Sequence, residues 1–165
     1  MGNCQCLCLL QRKLIAFMSF INPVNKSICL EQVCESNYQK LFRLIPDLMV
    51  FNAVAIGLAP HHTTLHLHIL ERTAYTLTLE LSHCFNNDLA PAVKIRVYLD
   101  AQLAEVLSDH ARAGVAQVFK DPGLSREIMN YKWRLNYFLQ KWLDHCLKND
   151  YLFSAVSQAS TINMV

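Results

Sequence analysis

The sequence predicts an α+β protein: an antiparallel sheet of about five strands with an N-terminal helix and a long C-terminal helix packed on one face. Three observations predict it. Between Ser125 and Asn149 the apolar residues Leu135, Phe138, Leu139, Trp142, Leu143, Cys146 and Leu147 recur at helical spacing and define one buried face. Three central runs alternate apolar and polar, the sign of strands with one wet side. The breaks between those runs are short, which suits antiparallel neighbours.

Each element follows from its own residues. Ser27 is placed to cap a first helix reaching Ile45, with Leu30, Val33, Cys34, Tyr38, Leu41, Phe42 and Ile45 inward. Pro46-Asp47 ends it, because the residue before a proline avoids the helical region. Leu48 to Leu58 is almost wholly apolar and reads as a buried strand, with a short helix as the other reading. The chain turns between Gly57 and His62. Thr63 to Glu71 then sets Leu65, Leu67 and Ile69 against His66 and His68. Ala74 to His83 sets Tyr75, Leu77, Leu79 and Leu81 against Thr76, Thr78, Glu80 and Ser82, so the two runs read as a hairpin. Ala92 to Leu99 alternates likewise. Gln102 to Asp109 fits either a helix or the return strand of a hairpin turning at Asp100-Ala101, and Val115 to Phe119 reads as one more short strand. Asp121-Pro122-Gly123 breaks the chain before the last helix, which Ser125 can cap. From Ser125 to Asn149 that helix would be about 37 Å long.

Residues 18–149 are expected to form a single α+β domain, with 150–165 a frayed C-terminal tail. Residues 1–17 (MGNCQCLCLLQRKLIAF) do not share the patterning of the chain from Met18 onward. A lipidation signal wants Ser or Thr where Cys6 stands. A secretory signal wants charge before its apolar stretch, whereas Arg12 and Lys13 come after it. The third reading treats the segment as an extension and Met18 as the initiator.

Composition excludes several classes. The chain is 53% apolar and 17% charged, enough to build a core and unlike a disordered segment. A formal charge of +2, with no basic run longer than Arg12-Lys13, argues against nucleic acid. No run of eighteen apolar residues argues for a membrane span. Seven irregularly spaced cysteines do not form a disulfide framework or paired zinc knuckles, and a reducing, cytoplasmic setting is inferred.

Four stretches carry a resemblance. They are Cys34-Glu35-Ser36-Asn37 with Leu41, Leu44 and Pro46; Glu71-Arg72-Thr73-Ala74-Tyr75-Thr76; Ile95-Arg96-Val97-Tyr98-Leu99-Asp100-Ala101 with Ala104-Glu105-Val106; and Asn136-Tyr137-Phe138-Leu139 with Trp142-Leu143 and Cys146-Leu147. Over roughly residues 34–148 the chain resembles the YqiB-like proteins of gammaproteobacteria, a family of unknown function. The resemblance implies no activity. Three departures stand out: Asp121-Pro122-Gly123 where the family tends to Tyr-Pro-Asn, Tyr131 where it tends to an acid, and histidines at 66 and 68.

Candidate chemistry is sparse. His66 and His68 share a strand face, and two such imidazoles can hold a metal if His62 or His83 supplies a third ligand; the competing reading is a solvated polar face. Lys132 falls within the apolar stripe of the last helix, beside Asn136. It either extends its ammonium past the core or pairs with Glu35, Glu71, Asp100 or Glu105. Arg96 and Tyr98 share a strand face with Asp100 in register, a fork and a phenol suited to phosphate or carboxylate, or else a cross-strand pair with Glu80 or Glu105. Trp133 and Tyr137 lie one turn apart, off the buried stripe, as an anchor for a partner or as residues covered by the N-terminal arm or the C-terminal tail. No GxSxG, phosphate loop, dinucleotide fingerprint or HExxH occurs. The reading is a non-catalytic binding or accessory module, with no metal or cofactor. The alternative is a binder of, or small enzyme acting on, an anionic nucleotide- or phosphate-like ligand through Arg96, Tyr98, Asp100, Lys132 and Asn136. Partners are then another protein or a small anion, not nucleic acid or membrane.

Overall fold

The computed structural model describes residues 26–85, 88–89, 92–107 and 122–155. Residues 1–17 and the strand expected at Val115–Phe119 lie outside the described residues. The elements are α1 (Lys26–Leu44), β1 (Val54–Leu58), β2 (Leu65–Arg72), β3 (Thr76–Phe85), β4 (Asp88–Leu89), β5 (Val93–Tyr98), β6 (Leu103–Val106), α2 (Pro122–Lys148) and β7 (Leu152–Ala155). The strands form one antiparallel sheet in the order β6-β5-β3-β2-β1-β7, with the short β4 added to β3.

Alternation decides the sheet's two faces. Leu65 and Leu67 of β2, Leu77, Leu79 and Leu81 of β3, Ile95 and Val97 of β5, and Ala104 and Val106 of β6 are buried on one side. Leu41 and Leu44 of α1 and Leu139, Trp142, Leu143 and Cys146 of α2 close over them in one continuous core. Lys40 of α1 holds Asp144 of α2 at 2.6 Å, tying the two helices outside that core. The stripe of α2 predicted from its spacing is the face it buries, with Leu135, Phe138 and Leu147 packed at the margin.

Several expectations need correction. The run Leu48–Leu58 is a strand only from Val54. Before that, Val50 and Phe51 each donate a backbone N–H to Asp47 O, forming a tight turn. Leu48 and Phe51, three residues apart, point inward while Val50 is 71% exposed, a helical rather than alternating pattern. Of the two readings of the run from Gln102, the hairpin return holds over the described residues, with Leu103–Val106 as β6. The helix α2 starts at Pro122, where the missing N–H of proline costs nothing, so Ser125 lies inside the first turn and does not cap it. α1 likewise begins at Lys26, ahead of Ser27.

The residues beyond Asn149 are not all a frayed tail. Asp150 adopts φ 52°, Asp150 N donates to Leu147 O and Tyr151 N to Cys146 O. Those two bonds are a Schellman motif, which satisfies the last helical carbonyls and reverses the chain. Tyr151 is buried and donates its hydroxyl to Thr63 O at 2.7 Å. Leu152–Ala155 then pairs with β1, Leu152 opposite Leu58 and Phe153 opposite Gly57. The Phe153 ring packs where a Cβ on Gly57 would stand, at 2.6 Å, so this crossing needs glycine.

Candidate functional site

The candidate residues meet at the β6 end of the sheet. Register places Arg96 opposite Glu105 on the outer face, and Tyr98 opposite Leu103. Tyr98 donates its hydroxyl to Glu105 Oε1 at 2.8 Å, and Lys132 Nζ lies 3.5 Å from Glu105 Oε2. Glu105 is therefore the hub, with a phenol on one oxygen and an ammonium on the other. Of the four carboxylates considered for Lys132, Glu105 is the one it reaches. Burial, then the bond to Glu105, pushes the Tyr98 phenol up.

Asn136 belongs to the same joint but is wholly buried. Its Oδ1 accepts the Val106 N–H at 2.9 Å, its Nδ2 donates to Lys132 O, and its backbone carbonyl accepts from Asn37 Nδ2 at 3.0 Å. These bonds knit α1, β6 and α2 together. Arg96 donates from Nε to Thr78 Oγ1 at 3.5 Å. Asp100 does not join them: its Oδ1 accepts Ala101 N within the β5–β6 turn. Cys34 lies near this joint, and its thiol is pushed up to about 12 by burial, then by Glu105, with Lys132 opposing. Burial alone lifts Cys146 to about 12. Neither thiol forms the reactive thiolate at neutral pH.

The histidines separate. His66 and His68 do share the outer face, opposite Ser82 and Glu80. His83 is opposite Leu65, on the core face, and its ring stacks on Trp142 at 5.0 Å. His62 meets His145 edge-on at 5.7 Å. Neither joins His66 and His68, and no group able to hold a metal occurs among the described residues.

Trp133 is not an exposed anchor. It is 5% exposed and stacks on Tyr137 at 5.0 Å, over which Lys141 places its ammonium at 5.1 Å from the ring centre. Spacing alone leaves this ring off the stripe, yet it is buried, with Tyr137 stacked on one face.

Sequence reasoning missed Asn37 and Arg72. Asn37 stands on the stripe between Cys34 and Leu41, and a polar residue there is the legible signal. Arg72 donates to Met49 O and Phe51 O, both at 2.8 Å, pinning the turn before β1. Nothing local marks that bond, which joins residues more than twenty positions apart.

Fold and joint together define an α+β protein whose two helices are locked to one end of an antiparallel sheet through Glu105 and Asn136. The chain belongs to the family described as "Protein of unknown function (DUF1249)", whose model matches residues 40–152. It is 28% identical over 120 residues to the "Uncharacterized protein YqiB" of Escherichia coli (strain K12), an alignment covering 70% of this chain and 84% of that protein. The proteins of the same name from two other Escherichia coli strains match to the same extent. No solved structure matches the chain. No helix among the described residues is long and apolar enough to cross a membrane.

Proposed function

We propose that this protein is a non-catalytic binding or accessory module that engages another polypeptide rather than a small anionic ligand. One observation carries the reading: Lys132 and Tyr98, two of the groups that would hold an anion, are already bonded to the Glu105 carboxylate. An anion approaching Lys132 meets Glu105 3.5 Å from the ammonium, and like charges at that range repel. The Tyr98 hydroxyl is committed to the same carboxylate, and Asn136 has no exposed surface. A half-exposed polar pair such as Glu105–Lys132 contributes little by itself. With Asn136 and Tyr98 added, it aligns α2 on the sheet.

A thermal-shift panel of nucleotides and sugar phosphates at millimolar concentration tests the reading. A ligand that binds the folded state must raise the melting temperature by mass action. No shift is expected. A shift that disappears in Lys132→Met or Arg96→Met would overturn the proposal in favour of an anion site.

A further inference from the structure

Histidines far apart in sequence come together where α2 ends. His62 stands in the turn between β1 and β2, and His145 in the last turn of α2. Both are half-buried, and their rings meet edge to face at 5.7 Å. His83 of β3 is close enough for His145 to oppose its protonation. Every other group here suits neutral rings. Lys148 is a further cation, and burial, then His62 and Lys148, hold the His145 pKa below its ordinary 6.5. Asn149 Nδ2 lies 3.1 Å from His145 Nε2, a donor that suits a neutral ring nitrogen and not an imidazolium. The ion pairs among the described residues include neither ring. Asp144, next to His145, is held by Lys40 and Lys141, and Asp150 is exposed. Tyr151 and the buried Cys146 thiol complete the surroundings.

This contact frames the anchor of β7. Tyr151 donates its hydroxyl to the carbonyl of Thr63, the residue after His62, and its ring lies 6.1 Å from the His62 ring. β7 has only four residues, and among the described residues it pairs with β1 alone. Leu152, Ser154 and Ala155 are exposed. So short an edge belongs to the low-stability end of a fold and can open without the rest. Left-handed backbone, which a side chain disfavours, flanks the contact on both sides, at His61 (φ 60°) and Asp150 (φ 52°).

We propose that His62 and His145 form an acid-sensitive clasp: when both rings carry a proton, their repulsion parts the β1–β2 turn from the end of α2, and β7 leaves β1 together with Tyr151. Neutral rings attract edge to face. Two imidazoliums at this range repel, with Lys148 adding to the repulsion and no carboxylate offsetting it. The clasp therefore holds above pH 6.5 and weakens as pH falls below it. An imidazole that protonates only in the open state favours opening roughly tenfold one pH unit below its ordinary pKa. The step differs from acid unfolding through His83, because the rest of the sheet stays intact. It stands apart from the binding-module reading and holds whatever the protein binds.

The test is amide exchange of the full-length chain at pH 7.5 and 5.5, each rate divided by that of an unstructured chain at the same pH. Protection of β7 is expected to fall roughly tenfold at the lower pH while that of β3 holds. His62→Gln and His145→Gln should each flatten this dependence. β7 unprotected at pH 7.5, equal protection at both pH values, a loss shared equally by β3, or an undiminished dependence in either variant overturns the proposal. Imidazole NMR of the wild-type chain serves if a variant does not fold. Protonation of His62 and His145 has to track the loss of β7 protection, and rings that titrate without it overturn the proposal as well.

Discussion

Asn136 Oδ1 lies 2.9 Å from the backbone nitrogen of Val106 and accepts its N–H, so one helical side chain finishes the edge strand β6. The same side chain donates to Lys132 O within α2. Asn136→Leu therefore strands a buried N–H on β6 and deletes both bonds. Loss of stability of roughly 2–3 kcal/mol is expected. Urea unfolding measures it, and amide exchange at Val106 should quicken more than at the central strand β3.

Trp142 fills the space between α2 and the sheet, stacked on His83 and tilted against Phe138 at 5.9 Å. Trp142→Ala leaves a cavity that a rigid sheet cannot collapse into, at a cost of about 3–5 kcal/mol. An unchanged melting curve would contradict the packing.

His83 makes stability depend on pH. Burial, and then His145, lowers its pKa from 6.5 to about 4. The unfolded chain takes up this proton below about pH 6.5, whereas the folded one resists until about 4. Stability is therefore full above 6.5 and falls as pH drops towards 4, by roughly 3 kcal/mol. His145 is lowered too, by burial first and then by His62 and Lys148, which adds to the same slope. Denaturation at a series of pH values gives the slope, and His83→Phe should flatten it.

Asp150 occupies the left-handed position that ends α2, a conformation a side chain disfavours. Asp150→Gly keeps both bonds of the Schellman motif and relieves that strain. A gain of about 1 kcal/mol is expected, read as a higher melting temperature. A loss would mean that the Asp150 carboxylate has a role beyond the turn.

The set of elements and their buried faces was written in the local residue pattern. Periods of 3.6 and 2.0 residues come from backbone geometry, so Leu139, Trp142 and Cys146 could be assigned to the core and His66 and His68 to the outer face without coordinates. The stretches that carry the family resemblance were legible as well, and residues from three of them, Asn37, Glu105 and Asn136, meet at one joint. Long-range packing alone settled which of four carboxylates Lys132 would reach, that His83 and not His66 would lie under Trp142, and that Leu152–Ala155 would pair with a strand almost a hundred residues earlier. The physical reason is common to these cases. Periodicity records how a segment meets water and core, but register between distant segments depends on the whole packed set, and no local pattern encodes it.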